Sequence, residues 1–339
     1  MGSDQHFRRC RSSYAAGIGN VDLTPFNSPW WLPGGHLQTI VPSLFPPPRV
    51  PLRRERWDTP DGDFVDVDFC GDPGAEKQLV LFHGLEGCSD SHYARAIAAH
   101  VVARGWRLAM PHFRGCSGEQ NRTRRAYHSG DSEEIDWMLK RLGGPLCAMG
   151  VSLGGNALLK WLGERGDEAR ALVRLAATVS APLDFGAAGD ALDRGLNRLL
   201  YVRHFLSTMK PKALAKLEIF PGLFDGNKVN AARTFREFDN LVTAPLHGFR
   251  DTDHYWTAVA SGPYLEHIRV PTLVLNARND PFLPEHKLLE ASRKAAPCVV
   301  LEFPRTGGHA GFLSGPFPGR RDWLPRHLFE FLDPESSSP

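Results

Sequence analysis

The stretch Met149-Gly150-Val151-Ser152-Leu153-Gly154-Gly155-Asn156 holds a serine between glycines, at the point where an apolar run becomes a helix-forming one. A Gly-x-Ser-x-Gly sequence in that setting turns the chain sharply from strand to helix, with the serine in a strained conformation. Gly150 and Gly154 fall where neighbouring backbone passes too close for a β-carbon. The turn lifts the Ser152 hydroxyl clear of a sheet and aims the N-terminus of the next helix at it. Such a serine suits nucleophilic attack through a covalent intermediate. The plain alternative is a glycine-rich turn whose serine only caps the helix.

A serine hydroxyl is a weak nucleophile near neutral pH, so it needs a base to take its proton and a third group to orient that base. After an elbow of this kind the acid and then the histidine follow in chain order. Thr272-Leu273-Val274-Leu275 reads as a strand, and the segment behind it supplies Asp280, restricted by Pro281. Val299-Val300-Leu301-Glu302-Phe303 reads as the last strand, and Gly307-Gly308-His309-Ala310-Gly311 follows it. Glycines around His309 let that loop bring the imidazole close to the serine. The chain has 14 histidines, and position after the last strand sets His309 apart from His254, His267, His286 and His327. Asp251 and Asp253 compete with Asp280, but neither ends a strand; as a helix cap or turn residue Asp280 would have no chemistry.

An oxyanion developing on a substrate carbonyl needs two backbone donors. One is expected from Leu153, the residue after the nucleophile. The other is expected from Leu85 in His83-Gly84-Leu85-Glu86-Gly87, with His83 bracing the loop instead of catalysing. Arg114-Gly115-Cys116-Ser117-Gly118 reads as a turn shaping a pocket rim. Ser207-Thr208-Met209-Lys210 matches a Ser-x-x-Lys pattern whose companion motifs are missing. His-Glu-x-x-His, a phosphate-binding glycine loop with lysine and a dinucleotide fingerprint are all lacking, so no metal or cofactor is expected.

The elements that must position these groups are legible as alternating strand-like and helix-like runs, the signature of a mostly parallel sheet. Strands are expected at Leu79 to Phe82, Leu108 to Met110, Leu146 to Met149, Leu172 to Val179, Thr272 to Leu275 and Val299 to Phe303. Helices are expected at Tyr93 to Arg104, Asp131 to Leu142 and Leu153 to Glu164. Arg53 to Trp57 and Asp63 to Phe69, joined through Pro60-Asp61-Gly62, read as an antiparallel hairpin that opens the sheet. Residues 1–50, rich in proline and aromatics, read as an arm wrapped on the core, because Trp30 and Trp31 call for burial. Residues 183–248 carry no clear strand but several helical stretches with Phe185, Leu199, Leu200, Phe205, Met209, Leu214, Leu217, Phe224, Phe235 and Phe238. They read as a helical lid in which most apolar residues pack the lid's own core and a minority face the site.

Bulk composition excludes more than it selects. A hydrophobic content of 42% and a charged content of 23% suit a globular enzyme, and a net charge of +2 gives no reason to expect a nucleic-acid partner. No apolar run is long enough to cross a bilayer, and the N-terminus has no hydrophobic signal core. Cys10, Cys70, Cys88, Cys116, Cys147 and Cys298 are scattered, which reads as reduced thiols and a cytoplasmic setting. Asn121-Arg122-Thr123 fits a glycosylation sequon that has no meaning without secretion.

With these pieces in place the chain resembles the α/β-hydrolase superfamily and, within it, the YheT-like group of esterases. That group also holds yeast medium-chain ethyl-ester synthase/esterases and mammalian membrane-associated phospholipase-like members. The resemblance rests on Trp31-Leu32-Pro33-Gly34-Gly35-His36-Leu37-Gln38-Thr39-Ile40, His83 to Gly87, Phe113 to Gly118, Gly150 to Asn156, Asn279 to Phe282 and Gly307 to Phe312. It covers residues 25–335, nearly the whole chain. It implies an α/β-hydrolase fold: a mostly parallel sheet flanked by helices, with the lid inserted after the sixth strand and the core formed by 51–182 and 249–335. It carries the triad roles to Ser152, Asp280 and His309; Asn279 departs from the family, which often has a second acid there. The His36-Leu37-Gln38-Thr39 arm is the group-specific part, with His36 read as a hydrogen-bonded structural residue.

The expected activity is that of a serine carboxylesterase acting on short- to medium-chain esters with a lipophilic acyl group, free of integral membrane association. Alternatives are an alcohol acyltransferase or a thioesterase using the same triad, and a non-catalytic ligand-binding relative. Haloalkane dehalogenase and epoxide hydrolase chemistry is disfavoured, because those sheets place an aspartate where Ser152 stands.

Overall fold

Strands that are apolar on both faces must be covered on both sides, and this chain supplies the cover by alternating strands with helices. The computed structural model describes residues 23–334. Among them eight strands form one sheet: β1 (Arg53–Asp58), β2 (Phe64–Gly71), β3 (Gln78–Phe82), β4 (Arg107–Pro111), β5 (Leu146–Val151), β6 (Val173–Val179), β7 (Thr272–Leu275) and β8 (Val299–Glu302). Their order is β1-β2-β4-β3-β5-β6-β7-β8. β1 and β2 form the expected hairpin, β2 meets β4 antiparallel, and every later pairing is parallel.

The period of two along each strand sorts the core into two layers. Val80 and Phe82 of β3, with Leu146 and Ala148 of β5, face one side. There they meet Ile135, Met138 and Leu139 of α3 (Ser132–Leu142) and Leu158 and Trp161 of α4 (Leu153–Arg165). Leu79 and Leu81, with Cys147, Met149 and Val151, face the other side. That layer is closed by Ile97 and Val101 of α2 (His92–Ala103) and Leu328 and Phe329 of α8 (Trp323–Leu332). The five cysteines among the described residues are free thiols, and Cys10 lies outside them. Asn121 is buried with its amide donating to Asp63, which leaves the sequon no accessible nitrogen.

The arm packs on the core from Leu23 onward; its first 22 residues lie outside the described residues. Phe26 packs edge-on against Phe312 and Trp323, and Leu32 is buried. Trp31 donates its indole N–H to the Gly315 carbonyl. Trp30 departs from expectation and is 91% exposed. The reason is local: the Leu32 N–H closes a turn on the Pro29 carbonyl, and the two central residues of a tight turn point apart. The arm also contains a helix absent from the sequence reading, α1 (Gly35–Leu44). It begins after Gly34 at φ 81° and carries Pro42, which leaves the Gln38 carbonyl without its helical donor.

Between β6 and β7 the described chain is helical, including α5 (Phe185–Leu192), α6 (Arg203–Ile219) and α7 (Thr252–Val259), and it stays helical to His267. Its own core joins Val202, Leu206, Phe235, Phe238, Val242, Tyr255 and Trp256. Asp239 is buried within this layer, accepting from the Trp256 indole at 2.8 Å and the Thr243 hydroxyl at 2.6 Å. Burial pushes its carboxyl up to about 6. A folded-state value above the unfolded one means that the native state holds the proton longer, so this group's contribution falls as pH rises from about 4 through about 6. Asp239→Asn keeps an acceptor for Trp256 and removes the ionisation. In urea unfolding, the variant is expected to gain on wild type by up to about 3 kcal/mol between about pH 4 and pH 7 and then stay level. A difference that does not change with pH would exclude a buried titration at Asp239.

Candidate active site

The elbow forms where β5 runs into α4, and its glycines are demanded by contact. A β-carbon on Gly154 would lie 2.4 Å from the Phe82 carbonyl oxygen, and one on Gly150 would lie 2.5 Å from the Gly154 oxygen. Ser152 between them has φ 53° and ψ −118°, a region that costs a non-glycine residue about 1–3 kcal/mol. The adjoining helix buries Leu158, Leu159, Trp161 and Leu162 completely. At roughly 1.5–3 kcal/mol for each large apolar side chain, that burial exceeds the strain several-fold. The elbow is held from the far end by Asn156, whose buried amide donates to the Ser129 and Val259 carbonyls and accepts from the Ser261 N–H.

Ser152, His309 and Asp280 come together from three separate loops. His309 Nε2 lies 2.8 Å from Ser152 Oγ, and His309 Nδ1 lies 2.9 Å from Asp280 Oδ2. An ionised carboxylate only accepts, so Nδ1 carries the proton and Nε2 is free to accept from the serine hydroxyl. Asp280 is itself buried, and its Oδ1 accepts from the Phe282 N–H at 2.8 Å, a tight turn that fixes the carboxylate. The Phe282 ring stacks on the imidazole with centroids 4.0 Å apart. His254, His267, His286, Asp251 and Asp253 take no part in this contact. His327 instead pairs with Glu302 at 2.8 Å.

The loop after β3 is equally constrained. Gly84 N–H donates to Tyr93 OH, Glu86 N–H to Tyr127 OH and Gly87 N–H to the Gly84 carbonyl. Among the described residues the Leu85 N–H makes no such bond, and neither does that of Leu153 at the first turn of α4. Leu85 and Leu153 both line the cavity that holds Ser152. His83 braces this loop: its Nδ1–H donates to the Gly84 carbonyl at 2.7 Å, and its Nε2 accepts from the Phe113 N–H at 3.0 Å. Burial, helped by the neighbouring His112, pushes the His83 imidazole down to about 3, so it stays neutral with both nitrogens occupied.

Ser152 and His309 open onto a cavity of about 1200 Å³, mouth included. Phe185, Phe205, Met209, Phe235 and Phe238 wall it while also packing the core of the helical segment. Half of the ten apolar residues noted in that segment therefore reach the cavity, more than the minority expected. Leu199 and Leu200 are exposed instead. One end of the cavity is polar, and its cations are hydrogen-bonded to protein groups. Lys212 of α6 contacts both carboxylate oxygens of Glu86, at 3.0 and 2.9 Å, and Lys216 donates to Asn121 Oδ1 and the Thr123 carbonyl. Burial lowers Lys216 to about 8. Arg114 also lines the cavity while bonded to Glu134 and Asp63, so the turn it opens shapes the wall. Among the described residues no three His, Cys, Asp or Glu side chains are grouped to hold a metal ion.

Sequence reading gave no role to Thr39 and Phe282, which lie in the stretches that carry the resemblance, and did not single out Ser180; all three touch the His309 loop. Thr39 Oγ1 accepts from the His309 N–H and Ser180 Oγ from the Ala310 N–H. Gly154→Ala should show how tightly this architecture is packed. The variant is expected to lose about 3 kcal/mol in urea unfolding, the upper end of overpacking costs. Wild-type stability in that variant would mean that the β3 carbonyls move aside freely.

The chain is similar to proteins already known. A family model described as the alpha/beta hydrolase fold matches residues 77–316. The chain is 37% identical over 315 residues to "Putative esterase YheT" of Escherichia coli (strain K12), covering 88% of this chain and 89% of that one. It is 29% identical to Phospholipase ABHD3 of Mus musculus, covering 87% and 75% of the two chains. Among solved structures, an esterase from Exiguobacterium antarcticum superposes with a TM-score of 0.54 at 17% identity, covering 83% of this chain and 99% of that one. This chain belongs to the α/β-hydrolase fold family, among its YheT-like esterases, and is a hydrolase.

Proposed function

We propose that this hydrolase is a serine carboxylesterase that cleaves short- to medium-chain carboxylic esters through an acyl-enzyme on Ser152. The observation that carries the reading is the unbroken hydrogen-bonded line from Ser152 Oγ through His309 to Asp280 at one wall of an apolar cavity. Ser152 Oγ attacks the ester carbonyl carbon and its proton passes to His309 Nε2. Asp280 holds the Nδ1–H and stabilises the imidazolium that forms. The Leu85 and Leu153 N–H groups receive the oxyanion, each worth about 3 kcal/mol of transition-state stabilisation. Collapse of the tetrahedral species breaks the bond to the alkoxy oxygen, which leaves with the proton from His309. Water then repeats the sequence on the acyl-enzyme, and the acid departs.

The acyl chain is assigned to the aromatic end of the cavity and the alcohol to the end near Glu86 and Lys212. The helices between β6 and β7 act as the lid, with Lys212 and Lys216 docking α6 onto the core loops. The reading fits the names of the relatives, esterase and phospholipase, at the level of carboxylic ester cleavage.

Hydrolysis of p-nitrophenyl esters from acetyl to dodecanoyl tests it. Wild type should turn over part of the series with an optimum set by the cavity. Ser152→Ala should fall by at least about 10⁴-fold and Asp280→Asn by about 10⁴-fold. A fluorophosphonate probe should label wild type and spare Ser152→Ala. Folded wild-type protein that neither turns over an ester nor takes up the probe would overturn the proposal.

A further inference from the structure

We propose that helix α1 is a clamp for the acid–base pair, and that Thr39 is the positioning residue through which it sets His309. The proposal rests on the reading of Ser152, Asp280 and His309 as the reacting groups. One turn of α1 touches both loops that carry the pair. At its start, a β-carbon on Gly35 would lie 2.0 Å from the Asn279 carbonyl oxygen and 3.2 Å from Pro281 Cδ, the two neighbours of Asp280. Four residues on, Thr39 Oγ1 accepts from the His309 N–H at 2.8 Å. The same hydroxyl donates to the Gly35 carbonyl at 2.7 Å, which commits its proton and leaves a lone pair for His309.

Contacts on either side make the clamp two-sided. Gln38 is buried, accepting from the Leu313 N–H and donating to the Leu313 carbonyl and Ser28. β-Carbons on Gly308 and Gly311 would lie 2.5 Å and 1.7 Å from Gln38 backbone atoms, so the base loop lies directly on the helix. The adjacent Ala310 N–H is taken by Ser180 Oγ at the end of β6, so two consecutive amides are pinned by hydroxyls from different elements. His36 reaches the other way. Its Nδ1 lies 2.9 Å from Tyr201 OH, the Tyr201 ring packs edge-on to Phe282, and Phe282 stacks on the His309 imidazole. The helix therefore fixes the His309 backbone directly and its ring through two aromatic side chains.

The composition of the buried face argues against a purely hydrophobic role. The buried residues of α1 are Gly35, Gln38 and Pro42, whereas Leu37 and Leu44 are exposed. A helix held for apolar packing would bury its leucines. This one buries the small and polar residues that contact the catalytic loops.

The test uses the full chain and p-nitrophenyl butyrate, measuring kcat, KM and thermal midpoint for Thr39→Val and Thr39→Ser. Valine keeps the shape and removes the acceptor, whereas serine keeps the acceptor. Thr39→Val should lower kcat about 10- to 100-fold, the effect of displacing a reacting group by about 1 Å, with KM within about 2-fold of wild type. Thr39→Ser should restore kcat to within about 3-fold. Should Thr39→Val not fold, Thr39→Ala carries the same comparison. Thr39→Val at the wild-type kcat, or Thr39→Ser as impaired as Thr39→Val, would overturn the clamp. Ser152→Ala run alongside separates the two levels. If it is inactive while Thr39→Val is unimpaired, only the clamp fails; if it keeps the wild-type rate, the catalytic reading itself fails.

Discussion

The imidazole of His309 must satisfy two partners at once, Ser152 Oγ at 2.8 Å and Asp280 Oδ2 at 2.9 Å, from a loop with no regular structure of its own. Each partner hangs from a different strand end: Ser152 after β5, Asp280 beyond β7, His309 beyond β8. A hydrogen bond weakens steeply with distance and angle, so three independent loops must be held to a few tenths of an ångström. Backbone strain is concentrated where that demand is met. Among the described residues four non-glycines have positive φ: Glu86, Ser152, Ser180 and Ala310. Glu86 follows Leu85, Ser152 is the elbow, Ser180 supports the base loop and Ala310 follows His309. Strain of about 1–3 kcal/mol at each is tolerable only because the sheet layers behind them are fully buried.

The helical segment above the sheet contributes through charge as well as through apolar cover. Lys212 and Lys216 stand one helical turn apart on α6 and reach different core loops, one at Glu86 and one at residues 121–125. Glu86 is in turn bonded to Tyr127, whose hydroxyl also receives the Glu86 N–H. The position of α6 and the shape of the loop bearing Leu85 are thus set by one connected group of side chains. Lys212 at the cavity's polar end is paired with the Glu86 carboxylate, whereas Lys216 donates to neutral amide and carbonyl oxygens.

Much of this was legible in the residues. The strands could be read because buried parallel strands need apolar runs, which β5 and β7 have throughout; β6 departs only at the exposed Arg174, and the edge strand β8 buries only Val299. Ser152 stood out because an elbow needs glycine at two fixed offsets. Asp280 and His309 stood out by position after a strand, with no local signal beyond Pro281 and the flanking glycines. Trp30 misled because its type favours burial while its place at a turn tip does not permit it. The cavity-facing share of the helical segment was underread because one periodic pattern serves both the segment's own core and the cavity wall.

Helix α1 shows where local reading ends. Its sequence has two glycines at the start, a proline inside and leucines that face solvent, so neither propensity nor an apolar stripe announces a helix. The tertiary contacts account for it. Gly35 has to be glycine because of Asn279, and Gly308 and Gly311 have to be glycine because of Gln38; each requirement comes from residues more than 240 positions away. Gln38 and Thr39 satisfy backbone groups of the base loop at a separation of about 270 residues. A motif whose partners are that distant carries its meaning in the pairing, and the pairing exists only once the sheet has brought the ends of β7 and β8 beside the arm. The arm thereby places residues about 270 positions away against the loop that carries His309.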